Sequence, residues 1–193
     1  TAIIWVGDDP KVQKKISYKQ LHQEVSKAAN GLKEIGVKKG DRITIYLPMI
    51  PEAAVSMLAC SRIGAIHSVV FGGFAPESLK NRIEDCESSY IITANEGLRG
   101  GKRVPLLSNV KKAIEGNNYI KKTIVVKRTD SNSYFDGQVD IWSLFYSFVI
   151  LSFIMGFYTT SKIISQSLFL FFFLGEGGPR GHEHNLYVCD NLS

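Results

Sequence analysis

Residues 42–71, RITIYLPMIPEAAVSMLACSRIGAIHSVVF, decide the fold class of this chain. The stretch opens with Arg42–Leu47, whose β-branched and apolar side chains predict a buried strand that Pro48 ends. Pro51 then stands at a first helical position, and the residues after it predict a helix that Gly64 terminates. The last seven residues predict a second strand. A strand, a helix and a strand in succession indicate two parallel strands joined by a crossover helix.

The same alternation continues on both sides of this unit. Upstream, apolar residues at helical spacing follow Ser17, a predicted N-cap, and indicate an amphipathic helix that Gly36 stops. Downstream, we predict a helix that starts at Pro76, strands at residues 89–94 and 122–127, a loop at 95–103 and a helix at 108–115. The pattern predicts an α/β fold, a mainly parallel sheet with helices on both faces and right-handed crossovers. Ligands of such sheets bind at the carboxyl ends of the strands.

Charge and aromatic residues divide the 193-residue chain into two chemical halves. Residues 1–140 carry 21 Lys and Arg against 15 Asp and Glu, whereas residues 141–193 carry two against three. Eleven of the 21 aromatic residues fall within residues 141–174. The overall composition excludes a disordered or collagen-like chain. The basic residues are spread along the first half, which favours a solvated surface over a nucleic-acid interface.

The cysteines indicate the redox state of the cellular compartment in which the protein is expected. Cys60, Cys86 and Cys189 are odd in number, far apart and without a CxxC spacing, which favours neither a disulfide framework nor a zinc site. We therefore expect a reducing compartment, the cytoplasm.

Two loops that follow predicted strands carry the residues a nucleotide would need. In VFGGF, residues 70–74, Gly72 and Gly73 leave the backbone bare beside Phe71. In EGLRGGKR, residues 96–103, cationic side chains flank two glycines whose exposed N–H groups are potential phosphate donors. On spacing alone, each loop also has an interpretation without a ligand. Residues 70–74 would then be a tight turn with packed aromatic residues, and residues 96–103 a mobile basic surface loop.

Other motifs predict no chemistry. Glu96 and Arg103 stand where a Walker P-loop needs Gly and Ser or Thr, so that route to ATP binding is rejected. His67 is interpreted as a packed strand residue, and the HxH pair at residues 182–184 is too weak a signal for a metal site. The sequence therefore predicts neither a catalytic residue nor a metal site.

Several longer runs resemble AMP-forming acetyl-coenzyme A synthetases, members of the acyl-adenylate-forming superfamily. The runs that carry the resemblance include AIIWVGDDP (2–10), GDRITIYLPMIPEA (40–53), HSVVFGGFAP (67–76), EGLRGGK (96–102) and KTIVVKRT (122–129). The resemblance implies an incomplete portion of the family's large N-terminal domain. The uninterrupted match over residues 40–101 is closer to the acetyl and propionyl enzymes than to firefly luciferase or long-chain acyl ligases.

The resemblance also implies an activity and a binding site. Family enzymes convert acetate and ATP to acetyl-adenylate and pyrophosphate, and the thiol of coenzyme A (CoA) then gives acetyl-CoA and AMP. The residues implied to contact the nucleotide end of CoA are Arg99, Gly100, Gly101 and Lys102, beside the turn at Phe71, Gly72 and Gly73. Lys102 stands where the family often has Arg, and a Lys keeps the charge but not the planar fork. The phosphate loop, acetate pocket, magnesium contacts and C-terminal domain of the family come later in its sequences and have no counterpart here.

The resemblance fades after Thr129, and four segments are predicted: a partial α/β domain at 1–130, a linker at 131–140, a hydrophobic tail at 141–174 and a Gly-rich flexible end at 175–193. Residues 141–161 contain no charge and are long enough to cross a bilayer. A translated non-coding stretch, a membrane anchor and a buried core segment are the three interpretations of this tail. The chain is accordingly expected to be an acetate–CoA ligase fragment that keeps its CoA-facing loops and is inactive alone. The alternative is a non-catalytic, membrane-tethered module that binds a nucleotide or CoA.

Overall fold

The computed structural model describes residues 1–131, 138–140 and 186–190. Over these residues, the chain forms, in order, β1 (Ile3–Val6), β2 (Gln13–Ile16), α1 (Tyr18–Glu34), β3 (Arg42–Leu47), α2 (Pro51–Ile63), β4 (Ile66–Phe71), α3 (Pro76–Asp85), β5 (Tyr90–Ala94), β6 (Gly97–Arg99), β7 (Lys102–Val104), α4 (Leu106–Ala113), β8 (Lys122–Val126), β9 (Gln138–Asp140) and β10 (Leu186–Asp190).

The central sheet is mainly parallel, which confirms the predicted α/β class. Its strand order is β4-β3-β5-β8-β10-β9. The first four strands run parallel to one another, and β10 pairs antiparallel with both β8 and β9. The quoted stretch provides β3, α2 and β4, which form the crossover unit that the sequence predicts.

The direction of strand addition reverses at β3. The chain passes from β3 to β4 on one side, then crosses back to β5 and continues to β8 on the other. Right-handed crossovers in opposite directions put α2 on one face of the sheet and α3 and α4 on the other. The helix contacts agree, because α1 packs against α2 and α3 packs against α4. A reversal of this kind opens a crevice at the carboxyl ends of the strands, where open α/β sheets bind ligands.

The core lies on the strands next to this reversal. Ile43, Ile45 and Tyr46 of β3 and Ile91 of β5 are fully buried. The helix boundaries have local causes as well. Ser17 and Gln20 form a capping box at the start of α1, in which the Gln20 backbone N–H donates to Ser17 Oγ at 3.2 Å. Gly64 ends α2 with a φ of 75°, in the left-handed region that glycine tolerates.

Two hairpins depart from the expectations. β1 pairs with β2 at the start of the chain, where the sequence predicts no strands. The predicted loop at residues 95–103 is in part a second hairpin, because β6 pairs with β7. Helix α4 also begins at Leu106, two residues before the predicted start.

The segments beyond residue 131 are described only in part. β9 lies in the predicted linker, and β10 lies within residues 175–193, for which the sequence predicts a flexible end. The apolar and β-branched residues of LYVCD explain a strand at β10. The hydrophobic tail at 141–174 lies outside the described residues. Within the described part of the chain, no helix has both the length and the apolar character needed to cross a bilayer.

Candidate functional site

A cleft of about 190 Å³ opens at the carboxyl ends of β3 and β4, beside the hairpin that follows β5. The residues that line it are Asp8, Pro48, Met49, Phe71, Gly72, Gly73, Gly97, Leu98, Arg99 and Val104. Much of this lining is apolar and open to solvent, since Met49 is 80% exposed and Phe71 is 44% exposed. The cleft is smaller than the pockets that bind drug-sized ligands.

Gly72 and Gly73 are required by close approach to their neighbours. A Cβ atom on Gly72 would lie 3.1 Å from the Leu47 carbonyl oxygen and 3.2 Å from the Pro48 nitrogen. A Cβ atom on Gly73 would lie 2.6 Å from Cε1 of Phe71. Gly72 therefore packs against the end of β3, and Gly73 against the Phe71 ring, only because these two positions have no side chain.

A buried tyrosine forms a hydrogen bond with the loop after β4. The Tyr46 hydroxyl donates to the Phe74 carbonyl oxygen at 2.7 Å and accepts from Asn109 Nδ2 at 3.2 Å. Burial raises the pKa of the Tyr46 phenol, so the hydroxyl stays protonated as a donor. Tyr46 thereby ties the wall of the cleft to α4.

Arg99 provides the cation of the cleft. Its guanidinium carbon lies 5.5 Å from the centre of the Phe71 ring, within the range of a cation–π contact. Phe74 meets Phe71 edge to face, with ring centroids 6.2 Å apart. The guanidinium therefore places a positive charge and planar N–H donors beside an apolar aromatic surface.

The glycine turn next to Arg99 is closed by a distant carboxylate. Gly100 and Gly101 have φ values of 57° and 73°, as the two central residues of a type I′ hairpin turn require. The Gly100 N–H donates to Asp8 Oδ1 at 2.7 Å, and the Gly101 N–H donates to Asp8 Oδ2 at 2.8 Å. The bonds from Gly101 and Gly100 lower the pKa of Asp8. The backbone donors that the sequence predicts for phosphate are therefore engaged by Asp8.

The other cations of the hairpin have different surroundings. Arg103 pairs with Glu96, with Nη1 3.2 Å from Oε2, and the same carboxylate oxygen accepts from the Thr129 hydroxyl at 2.7 Å. Lys102 is exposed at the start of β7. Of the three cations, Arg99 is the one that lines the cleft.

The structure brings the predicted site residues into one region. Phe71, Gly72, Gly73 and Arg99 line the cleft. Gly100, Gly101 and Lys102 form the adjoining turn rather than the cleft wall. Sequence reasoning missed Met49 and Asp8, which also line the cleft. Among the described residues, no three His, Cys, Asp or Glu side chains converge as metal ligands.

Comparison with models of known protein families assigns the chain to a family. A family model described as AMP-binding enzyme matches residues 1–144. The chain belongs to the AMP-binding enzyme family. This assignment confirms the resemblance stated above, because curated acetyl-coenzyme A synthetases match over the same region. One from Gamma-proteobacterium EBAC31A08 is 58% identical over 141 residues, and one from Bradyrhizobium sp. (strain ORS 278) is 59% identical over 142 residues.

The matched region is a small part of these AMP-binding enzymes. The two alignments cover 73% and 74% of this chain and 22% of each relative, so the chain spans about a fifth of their length. Among solved structures, the acetoacetyl-CoA synthetase from Streptomyces lividans has a TM-score of 0.62 at 24% sequence identity. The match covers 68% of this chain and 21% of that protein, and it confirms the α/β fold.

Proposed function

We propose that this chain is a portion of an acetate–CoA ligase and that its cleft binds the nucleotide end of CoA. The observation that carries the proposal is the Arg99 guanidinium in cation–π contact with the Phe71 ring in the cleft wall. The position of the cleft supports it as well, since it lies at the carboxyl ends of the strands next to the reversal of strand order.

The chemistry of the cleft suits a phosphorylated adenosine. A purine stacks on the flat guanidinium, and the edge N–H groups of Arg99 are suited to phosphate oxygens. Lys102 adds a second positive charge on the adjoining turn. Phe71, Met49 and Leu98 give the cleft an apolar wall that excludes water from one side of the ring. The pantetheine arm and its thiol lie beyond the cleft in this proposal.

The 193-residue chain alone is proposed to be inactive in acetate activation. The matched region is about a fifth of the relatives, and the family resemblance puts the ATP phosphate loop, the acetate pocket and the magnesium contacts in later segments. In this proposal, acetate, ATP and magnesium belong to the longer ligase, which acts in the cytoplasm. The absence of ATP–pyrophosphate exchange by the purified chain tests this part.

Calorimetric titration of the full chain tests the binding proposal. We expect CoA to bind and pantetheine, which lacks the nucleotide, to show no binding. Arg99→Ala removes the stacking and the charge, and should weaken CoA binding by about 10-fold or more. Arg99→Lys keeps the positive charge but not the planar guanidinium. Its affinity for CoA should lie between those of the unmodified chain and Arg99→Ala.

Arg82→Ala is the matched control, because Arg82 is an exposed arginine of α3 outside the cleft. It should bind CoA like the unmodified chain. Equal affinity for CoA and pantetheine, or an Arg99→Ala variant with unchanged affinity, would contradict the proposal.

A further inference from the structure

Asp8 contacts residues of the candidate site that are far from it in the sequence. Its two carboxylate oxygens accept one hydrogen bond each from Gly100 and Gly101, which follow it by 92 and 93 residues in the sequence. Asp8 also lines the cleft beside Arg99. An acidic side chain is thus part of the wall of a site that is proposed to bind phosphates.

The hairpin that carries Asp8 is anchored to the rest of the site. The Trp5 indole Nε1–H donates to the Met49 carbonyl oxygen at 2.7 Å, just after β3. The Gly7 N–H donates to the Val12 carbonyl oxygen at 2.7 Å and closes the hairpin behind Asp8. The Arg128 guanidinium lies 5.1 Å from the Trp5 ring centre. The Asp8 carboxylate therefore projects from a fixed support.

The turn that Asp8 contacts needs such a support. Gly100 and Gly101 carry no side chain, are exposed, and have open space where a Cβ atom would be. Glycine has more conformational freedom in the free chain than any other residue, so an unsupported Gly-Gly turn would sample several backbone shapes. Two hydrogen bonds to an ionised carboxylate are strong enough to select one of them.

We infer that Asp8 is a positioning residue for the nucleotide: its carboxylate fixes the Gly100–Gly101 turn so that Arg99 and Lys102 are held at the cleft, and the ligand phosphates bind through these side chains instead of the turn's backbone N–H groups. The inference rests on the proposed function.

The direction of the expected effect distinguishes positioning from simple charge repulsion. If Asp8 acted only as a negative charge near the cleft, its neutralisation would strengthen the binding of an anionic ligand. If Asp8 positions the turn, its neutralisation weakens binding, because the amide NH2 group that replaces one carboxylate oxygen cannot accept from its N–H partner. The two roles predict opposite signs.

Asp8→Asn in the full chain is the test variant, and Asp9→Asn is its control. Both remove one negative charge, but Asp9 accepts from the Lys11 N–H and makes no contact with the glycine turn. We expect CoA affinity to fall roughly 3- to 10-fold in Asp8→Asn, the effect of one lost hydrogen bond. Asp9→Asn should bind at least as tightly as the unmodified chain.

Amide proton spectra provide a readout that a general loss of stability would not produce. In Asp8→Asn, the Gly100 and Gly101 amide protons should shift upfield and exchange faster with solvent, while the amides of the other segments keep their positions. In the unmodified chain, addition of CoA should leave both glycine amides bonded to Asp8, with shifts near their free values. This second measurement needs no variant and stands even if Asp8→Asn fails to fold.

The outcomes separate the two proposals. If the unmodified chain does not bind CoA, the proposed function fails. If it binds and Asp8→Asn binds equally well or more tightly, the positioning role is overturned. A scalar coupling between a CoA phosphorus and the Gly100 or Gly101 amide would overturn it as well, because the phosphate would then have replaced the carboxylate.

Discussion

The two glycines after β4 make room for different neighbours. Gly72 faces backbone atoms at the end of β3, which cannot move without shifting the strand, whereas Gly73 faces the ring of Phe71, which can rotate. One methyl group at each position therefore probes two properties. At Gly72 it tests the packing of the loop, and at Gly73 it tests the aromatic wall of the cleft.

Gly72→Ala should lower the free energy of unfolding by about 1–3 kcal/mol, the usual cost of overpacking a buried position. Gly73→Ala should cost less, because the Phe71 ring gives way, but it should weaken CoA binding since the displaced ring no longer supports Arg99. Urea denaturation and calorimetric titration measure the two effects. A larger stability loss for Gly73→Ala than for Gly72→Ala would contradict this assignment.

The sequence indicated part of the site at the level of residues. Phe71, Gly72 and Arg99 could be selected because each lies in a short motif just after a predicted strand. Asp8 could not, because its role depends on a contact with a turn 92 residues away and no local pattern records that contact. Met49 joins the cleft only through the packing of the chain after β3.

Asn95 joins elements that are distant in the sequence. It follows β5 and is buried, and its Oδ1 accepts from the Arg128 N–H at 2.7 Å and the Thr129 N–H at 3.3 Å. Its Nδ2 donates to the Thr129 carbonyl oxygen at 2.8 Å. The Asn95 amide thus links the chain after β8 to the carboxyl end of β5. The hairpin that carries Arg99 begins two residues later, at Gly97.

Asn95→Ala should destabilise the chain by about 2–3 kcal/mol, because it leaves partly buried backbone N–H groups without their acceptor. Thermal or urea denaturation measures the change. Asn118→Ala, at an exposed loop position, is the matched control and should stay within about 0.5 kcal/mol of the unmodified chain. Similar losses for the two variants would show that the Asn95 amide has no special part in the fold.

Elements with strong patterns were predictable, and short hairpins were not. The helices and the parallel strands follow from periodicity, caps and turn residues. β2, in contrast, reads QKKI and exposes three of its four residues, so its sequence has no apolar alternation. β6 and β7 have three residues each, too few to show a period, and only the Gly-Gly pair between them signals a turn.

At the scale of the molecule, the fold class follows from the alternation of strands and helices, while the extent of the sheet does not. The parallel part, β4-β3-β5-β8, was visible in the sequence. The antiparallel addition of β10 to β8 was not, because it joins segments about 60 residues apart and crosses the stretch where the family pattern ends. The hydrophobic tail at 141–174 remains a prediction from composition.

Deletion of residues 141–174 should increase the fraction of the chain that stays in the supernatant after ultracentrifugation, since a long, strongly apolar sequence promotes aggregation. The deletion keeps residues 186–190, which pair with β8. A chain that ends at residue 131 loses this pairing, exposes the β8 edge, and should fall between the deletion variant and the full chain. Equal sedimentation of all three chains would count against this view of the tail.

The bond between Asp8 and the glycine turn also sets an order of events during protein synthesis. Asp8 is translated 92 residues before Gly100, an interval of roughly 5 to 20 s at ordinary elongation rates. During that interval the carboxylate has no partner, and β3, β4 and β5 are made before the turn appears. The contact between Asp8 and the glycine turn therefore cannot form until β3, β4 and β5 have been made, but it can form before β8 and β10 join the sheet, so a slow ribosome would delay the completion of the sheet more than this contact.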